Sequence, residues 1–500
     1  MSDLIFNIAM GFEVALTPTN LLFAFIGCLG GTLIGILPGI GPVSTVAMLV
    51  PVTFGLEPVS GIIMLAGIFY GAQYGGSTTA ILVNMPGEAS AVVTCLDGYQ
   101  MARQGRAGPA LAIAAIGSFF AGSFATVLIA VAAPPLTLVA ENFGAPEYFS
   151  LMLLGLIGSV VLAHGSVVKA IAMIFLGLLL GTVGLDTTTG DGRFLLGQAN
   201  LMDGINFVAL AIGLFGLSEI ISNLVKKDSD RTVLSTKLQL WPTKEDFRKS
   251  WPAIFRGTGL GALLGILPGG GATLSSFTAY VLEKKCSRTP EAFGTGAIEG
   301  VAAPESANNA GAQTSFIPLL TLGIPGNATI ALLAGALTIH GIQPGPQVMR
   351  ENPDLFWGLI ASMWIGNLML VIINLPMLGL WVRLLKIPYE YLFPAILLFC
   401  AIGVYGVNNS VFDVFVAALF GFVGYLFIRL NCEPAPLLLG FILGPMVEDN
   451  LRRSMLISRG DPMIFLSRPI SAGFLIAAFA LLVILVLPNL RRTREVAFQE

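Results

Sequence analysis

Three long stretches of this 500-residue sequence, 14–56, 107–140 and 306–349, contain no Asp, Glu, Lys or Arg. A helix needs only about 20 predominantly apolar residues to cross the hydrocarbon core of a bilayer. Charged residues make up 11% of the chain, whereas soluble proteins contain about 25%. Four further uncharged stretches are each long enough to cross: 148–168, 355–382, 391–412 and 469–490. We therefore predict an all-α polytopic integral membrane protein with about 10–12 transmembrane segments in a lipid bilayer.

The charge balance and the scarcity of metal-binding residues argue against several functions. The formal net charge is −3, and no basic, aromatic patch interrupts the apolar stretches, so we expect no nucleic-acid partner. His164 and His340 stand apart from other metal ligands, and the five cysteines form no CxxC or Cys/His cluster. The sequence also lacks a GxxxxGKS/T phosphate loop. We expect no catalytic residues, no organic cofactor and no direct use of ATP.

The sequence contains an internal repeat. GTLIGILPGIG, from Gly31 to Gly41, returns as GALLGILPGGG from Gly261 to Gly271, displaced by 230 positions. Both copies belong to runs of glycines spaced four apart, a spacing that lets helices approach closely in lipid. We interpret the chain as two homologous transmembrane repeats, 1–225 and 257–500, joined by a basic linker, 226–256.

The distribution of Lys and Arg suggests an orientation. The linker 226–256 holds the greatest concentration of basic residues, which places it in the cytoplasm by the positive-inside rule. The basic tail 491–494 favours the same side and hence parallel repeats, whereas the basic residues at 383, 386, 429, 452 and 453 fit inverted repeats. By analogy with many secondary transporters, we favour inverted repeats.

Each repeat contains a Pro-Gly-x-Gly segment, 38–41 in the first and 268–271 in the second. Proline removes a backbone donor and glycine weakens the preference for helix, so we expect both helices to break there. Inside a bilayer such a break is tolerated only where protein or a polar cavity satisfies the exposed backbone groups. The paired breaks therefore predict a polar cavity built from both repeats.

A second polar segment follows in each repeat, 70–79 before Pro86 and 305–315 before Pro325. We interpret each as a helix and a re-entrant half-helix joined by a polar hinge. The N–H groups and positive dipole end of a half-helix favour a carboxylate, and unwound carbonyls coordinate sodium. The candidate substrate-binding residues are Gly39, Gly41, Ser44, Thr45, Gln73, Ser77, Thr78, Thr79, Gly269, Gly271, Thr273, Ser275, Asn308, Asn309, Gln313, Thr314 and Ser315. The candidate sodium ligands are Gly39, Pro86, Gly269, Glu305 and Pro325, with a helix cap at the membrane interface as the alternative role of Glu305.

Four motifs closely resemble the large membrane subunit of the tripartite tricarboxylate transporter family. They are GILPGIGP at 35–42, YGAQYGGSTTAILVNMPGE at 70–88, GILPGGGA at 265–272 and PESANNAGAQTSFIPLLTLGIPG at 304–326. The resemblance implies a permease of the bacterial inner membrane that imports citrate, other tricarboxylates or related small carboxylates. It implies two partners, a periplasmic solute-binding protein and a small four-helix membrane subunit. It also implies coupling to a cation gradient, with sodium favoured over protons.

Two other classes of function remain open at this point. A passive carboxylate channel would need a continuous polar stripe or a charged ring along a pore, rather than two separate helix breaks. An intramembrane enzyme would need a nucleophile with a base, or a metal with its ligands, and the two separated histidines provide neither. We rank the channel second and the enzyme last. Uptake that concentrates the substrate would distinguish a secondary transporter from a channel.

Overall fold

A computed structural model describes residues 2–37, 41–140, 142–162, 166–186, 188–225, 241–267, 271–384 and 389–486. These residues are largely helical, and the all-α prediction is confirmed. The only strands within these ranges are β1 (Gly184–Leu185) and β2 (Gly192–Arg193), which pair antiparallel.

The first half of the chain contains eleven α-helices within the described ranges. They are α1 (Ser2–Ala15), α2 (Pro18–Gly35), α3 (Pro42–Thr53), α4 (Pro58–Val83), α5 (Val92–Thr94), α6 (Gln100–Arg103), α7 (Ala107–Ala140), α8 (Ala145–Leu162), α9 (Val167–Gly181), α10 (Phe207–Ala211) and α11 (Ser218–Val225). Two π-helical segments, Cys95–Tyr99 and Ile212–Leu217, join α5 to α6 and α10 to α11. Short 3-10 segments lie at Ala89–Ala91 and Ala199–Leu201.

The second half contains thirteen α-helices within the same described ranges. They are α12 (Lys244–Ile266), α13 (Gly271–Cys286), α14 (Glu299–Thr314), α15 (Phe316–Leu322), α16 (Ala328–Ile339), α17 (Gln347–Glu351), α18 (Pro353–Asn374), α19 (Leu378–Leu384), α20 (Tyr389–Asn408), α21 (Val411–Arg429), α22 (Ala435–Ile457), α23 (Ile464–Ser467) and α24 (Pro469–Val486). A 3-10 segment lies at Pro290–Ala292.

The lengths and exposed faces of these helices fit a bilayer. Five described helical segments are long and apolar enough to cross a membrane: Pro18–Gly35, Ala107–Ala140, Phe207–Val225, Pro353–Asn374 and Val411–Arg429. Seven shorter apolar helices of 10–17 residues accompany them. Large apolar side chains such as Phe175, Phe415 and Phe479 point outward and are at least 66% exposed. Such faces belong against lipid, and the protein is a multi-pass membrane protein; the number of crossings stays a prediction.

The glycine runs pack two equivalent helix pairs, α2 with α4 and α12 with α14. A Cβ on Gly31 would lie 2.3 Å from the Ile68 carbonyl oxygen, and a Cβ on Gly261 would lie 2.2 Å from the Ala307 carbonyl oxygen. Glycine alone permits these backbone contacts, which the four-residue spacing predicts. Residue numbers at successive contacts rise along both helices of a pair, so the two helices of each pair are parallel. The glycines one turn away pack in the same way: Gly27, Gly35, Gly257 and Gly265.

Helices α4 and α14 form the centre of the molecule, where nearly every residue of both is buried. They cross each other directly. The Gln73 amide donates to Asn308 Oδ1 (3.1 Å), and the Ser77 hydroxyl donates to Glu305 Oε2 (2.6 Å). Residue numbers therefore rise along α4 while they fall along α14, so the equivalent helices of the two repeats run antiparallel where they cross.

The expected polar hinge at 70–79 is wrong, because α4 is a continuous helix through this segment. The Thr78 hydroxyl donates to the carbonyl oxygen four residues earlier, Tyr74 O, and the Ser77 hydroxyl donates to Glu305 of α14. Both groups are thus satisfied without a break in the helix. The chain leaves the helix later, at Asn84, in a left-handed conformation with φ of 56°.

The equivalent helix of the second repeat is interrupted at Ser315, between α14 and α15, before it reaches its left-handed end. It then ends like the first: Gly323 adopts a left-handed conformation with φ of 73°, 239 positions after Asn84. Glu305 lies inside α14 and is 1% exposed, so it does not cap a helix at the interface.

Part of the predicted linker continues into the second repeat. Residues 226–240 lie outside the described residues. Helix α12 begins at Lys244 and runs without interruption past Arg256 to Ile266. A capping box starts this helix, with the Thr243 hydroxyl accepting from the Asp246 N–H and the Asp246 carboxylate accepting from the Thr243 N–H. The domain boundaries at 225 and 257 stay predictions.

Candidate functional site

A cavity of about 620 Å³ lies between the two repeats. About half of its lining residues come from segments at which helices begin. These segments are 41–44 at the start of α3, 86–89 leading into the first 3-10 segment, 271–274 at the start of α13 and 326–329 at the start of α16. A cavity to which both repeats contribute therefore lies beside the predicted helix breaks, of which residues 38–40 and 268–270 are outside the described residues.

The starts of three helices line the cavity. Helix α3 begins with Pro42 in its first turn, and Gly41 before it has no side chain to cap the free N–H groups. Helix α13 begins at Gly271. In α16 the Asn327 side chain caps the helix by accepting from the Ile330 N–H (3.0 Å). Free N–H groups and the helix dipole favour negative charge at such positions.

Three carboxyl groups also line the cavity: Glu88, Glu219 and Glu433. The Ser44 hydroxyl contacts Glu219 Oε2 and the Phe215 carbonyl oxygen. No Lys, Arg or His occurs among the described residues that line the cavity. The site thus combines helix starts, which favour an anion, with the carboxyl group of Glu88, which repels an anion when it is ionised. A cation bound together with an anionic ligand would resolve this conflict.

A polar network connects the cavity to the crossing of α4 and α14. The Gln73 amide donates to Asn308 Oδ1 (3.1 Å), and the Asn308 amide donates to Glu88 Oε1 (3.1 Å). The Ser90 hydroxyl donates to the same Glu88 oxygen, and Ser276 donates to the Ser90 carbonyl oxygen (2.7 Å). Gln73 lines the cavity, and its Oε1 atom is buried without a hydrogen-bond partner in the described structure. An unpaired buried acceptor of this kind suits a ligand that donates or a bound cation.

The predicted site residues fall into two groups. Those that line the large cavity are Gly41, Ser44, Gln73, Gly271, Thr273 and Pro86. Asn308 reaches it through the network just described. Gly39 and Gly269 lie outside the described residues. Pro325 does not line the cavity, although its neighbour Gly326 does. The assignment of roles to these residues stays a prediction.

The remaining predicted residues make their contacts elsewhere. Thr45 and Ser275, at equivalent positions, donate to the carbonyl oxygens of Gly41 and Gly271. Others bond to a carbonyl oxygen three or four residues earlier: Thr79 to Gly76 O, Thr314 to Ala310 O and Ser315 to Ala312 O. Asn309 and Gln313 bond with α7, at Ser118 and Thr126. Ser77 and Thr78 line a separate small cavity with Glu305.

Sequence reasoning missed the three carboxyl groups and Asn327. Glu88 directly follows the Pro-Gly pair, and Asn327 follows the equivalent pair 239 positions later. Glu219 is the only charged residue between Asp203 and Lys226. An isolated acid in an apolar helix is itself a signal for a functional site. Glu433 lies in a short polar turn between α21 and α22, where nothing in the sequence distinguishes it.

Comparisons with known proteins agree with this architecture. A family model described as "Tripartite tricarboxylate transporter TctA family" matches residues 21–439. The "Uncharacterized 52.8 kDa protein in TAR-I ttuC' 3'region" of Agrobacterium vitis is 60% identical over 501 residues, which cover 100% of both chains. The "Uncharacterized protein in TAR-II ttuC' 3'region" of the same organism is 58% identical over 240 residues, 48% of this chain and 99% of its own. No solved structure matches.

Proposed function

The chain belongs to the tripartite tricarboxylate transporter TctA family, and we propose that it is the permease subunit of a binding-protein-dependent secondary transporter that imports tricarboxylates or related small carboxylates. Members of this family are transporters rather than enzymes. The observation that carries the proposal is the large cavity, into which helices from both repeats begin. A carboxylate is the chemical group that such helix starts favour.

The Glu88 carboxyl group of the cavity supports coupling to a cation. It lines the same space as the helix starts, and it accepts hydrogen bonds from neutral donors, the Ser90 hydroxyl and the Asn308 amide. An incoming carboxylate alone would therefore meet like charge. A cation that enters with it, sodium by preference, removes this repulsion. Movement of the neutralised pair then follows the gradient of the cation.

The crossing of α4 and α14 supports alternating access by inverted repeats. Equivalent helices that run antiparallel are expected when two repeats are related by an axis in the membrane plane. The large cavity lies between the repeats, so a change in their relative position would open it first to one side and then to the other. A passive channel has less support, because the polar lining residues cluster at the helix starts rather than forming a continuous polar stripe along a pore.

The resemblance to the family adds two partners to the proposal. A periplasmic solute-binding protein would deliver the carboxylate, and a small four-helix membrane subunit would complete the complex in the bacterial inner membrane. Substrate choice would then rest mainly with the binding protein, since helix starts favour carboxylates in general and do not distinguish one from another.

Reconstitution tests the proposal directly. The chain would be placed in vesicles with both partner subunits, and uptake of radiolabelled citrate and of smaller dicarboxylates would be measured with a sodium gradient, a proton gradient or neither. We expect the substrate to reach a higher concentration inside than outside only when a cation gradient is present. Equal uptake with no gradient and no membrane potential would contradict the coupled mechanism. Uptake that equilibrates without concentrating would favour the channel.

A further inference from the structure

A second, much smaller cavity of about 20 Å³ lies between α4, α7, α14 and the end of α18. A space of this size holds a single water molecule or a single ion. Several side chains with oxygen atoms line it, and each of these residues is at most 6% exposed. They are Tyr74, Ser77, Thr78, Ser118, Glu305 and Asn374.

Glu305 brings a carboxyl group into this closed space without a basic partner. Its two oxygens accept hydrogen bonds from the Ser77 and Thr94 hydroxyls. Within the described part of the chain it forms no ion pair with Lys, Arg or His. A buried carboxylate costs several kcal/mol unless its charge is compensated, and neutral hydroxyls compensate it only in part. A positive charge in the small cavity would therefore stabilise the ionised Glu305 carboxylate.

Asn374 contributes an oxygen atom that has no hydrogen-bond partner. Its amide nitrogen donates to the Leu370 carbonyl oxygen (2.9 Å), whereas its Oδ1 is buried and unpaired in the described structure. A water molecule would satisfy this oxygen but would not cancel the charge on Glu305. A proton on Glu305 would cancel the charge but fill none of the volume. A bound cation would bind the Asn374 oxygen, cancel the charge on Glu305 and fill the volume.

We propose that this small cavity binds one monovalent metal cation through the Glu305 carboxylate, Asn374 Oδ1 and the surrounding hydroxyl oxygens. Alkali cations are hard ions that take oxygen ligands, and a single carboxylate among neutral oxygens balances a single positive charge. The inference rests on the proposed function, because the ion held here would be the one whose gradient drives uptake.

The position of the small cavity connects the cation to the substrate site. Ser77 lies one helical turn after Gln73, and Glu305 lies one turn before Asn308. One pair contacts at the small cavity and the other pair at the large cavity. Filling the small cavity would therefore fix the same crossing of α4 and α14 that positions Gln73 and Asn308 against the carboxylate substrate.

Binding is tested on the purified protein in detergent, without transport. The melting temperature would be measured while sodium replaces choline at constant ionic strength. A ligand that binds only the folded protein raises the melting temperature with its concentration. We expect a saturable rise for the natural sequence and none for Glu305→Gln. Asn374→Leu, which removes one ligand oxygen, should raise the sodium concentration at half-effect by about tenfold or more.

Asn367→Leu provides a matched control. Asn367 is a fully buried amide on the same helix, two turns before Asn374, and its Oδ1 also lacks a partner in the described structure. It does not line the small cavity, so its replacement should leave the sodium midpoint unchanged. If Glu305→Gln does not fold, the comparison of Asn374→Leu with Asn367→Leu still tests the site.

Several outcomes would overturn the cation site. If the melting temperature of the natural sequence does not depend on sodium, the small cavity holds water rather than a cation. Melting that responds to pH but not to sodium would make Glu305 a proton carrier. Equal sodium midpoints for Asn374→Leu and Asn367→Leu would place the ion elsewhere. Uptake assays on the same preparations separate the two proposals: concentrative uptake without any sodium effect refutes the cation site and keeps the transporter, whereas uptake that only equilibrates refutes the transporter.

Discussion

Two glutamines with the same sequence-based role occupy different surroundings. Gln73 and Gln313 both belong to polar segments that precede a Pro-Gly pair. Gln73 lines the large cavity with an unpaired oxygen, whereas the Gln313 oxygen accepts from the Thr126 hydroxyl of α7 (2.6 Å). Gln313 contacts α7, the helix that packs along α14, and does not line the large cavity.

Alanine at each position tests this distinction. Gln73→Ala removes a polar group that faces the proposed substrate, so we expect initial uptake to fall by about tenfold, the effect of losing one hydrogen bond. Gln313→Ala, the matched control, should stay within about twofold of the natural sequence. Initial rates in vesicles, divided by the amount of protein inserted, give the comparison. Equal losses at both positions would mean that the large cavity does not bind the substrate.

The sequence predicts some of the site residues and misses others for a physical reason. Spacing and residue type single out the helix starts, and Ser44, Gln73 and Thr273 do line the cavity. Spacing carries no information on which distant helices pack beside them. Glu219 and Glu433 come from α11 and from the turn before α22, and only tertiary packing brings them to the helix starts.

At the scale of the helices, small-residue spacing predicted the packing well. The polar-hinge prediction was wrong for α4, where a run of glycines and hydroxyl residues continues as a regular helix. Glycine weakens a helix that faces water, but α4 is surrounded by other helices that contact its backbone. Packing on all sides therefore compensates for poor helix preference, and a polar run is not by itself a break.

The packing of α12 on α14 gives a stability prediction. A Cβ on Gly261 would lie 2.2 Å from a backbone oxygen, whereas a Cβ on Gly259 would meet no atom within 4 Å. We expect Gly261→Ala to destabilise the protein by about 1–3 kcal/mol through overpacking. Gly259→Ala, on the exposed side of the same helix, should stabilise it by about 0.5–1 kcal/mol. Melting temperatures in detergent measure both, and shifts of the same sign would contradict this account.

At the scale of the whole molecule, the relation between the repeats has a direct test. If the antiparallel crossing reflects inverted repeats, the starts of α4 and α14 face opposite sides of the membrane. Glu57→Cys and Thr295→Cys, both at exposed positions before these helices, would be compared in a background without the five native cysteines. We expect a membrane-impermeant thiol reagent to label only one of them in intact spheroplasts.

A third cysteine supplies the reference side. Ser235 lies in the segment 226–240, outside the described residues, and the linker 226–256 is predicted to be cytoplasmic from its basic residues. Ser235→Cys should be protected in intact spheroplasts and react once the membrane is opened. Labelling of both Glu57→Cys and Thr295→Cys from the same side would refute inversion and favour parallel repeats.

The Glu88 carboxyl group of the large cavity has a consequence for voltage. In a carrier of the proposed kind, Glu88 travels with the cavity, so an empty form in which Glu88 is ionised returns with negative charge. An inside-negative potential pushes such a form outward, at about 2.3 kcal/mol per charge for each 100 mV crossed. That energy corresponds to a roughly 50-fold bias per charge. The cell's resting potential would then speed the reset step between two deliveries, even where loading and release are electrically neutral.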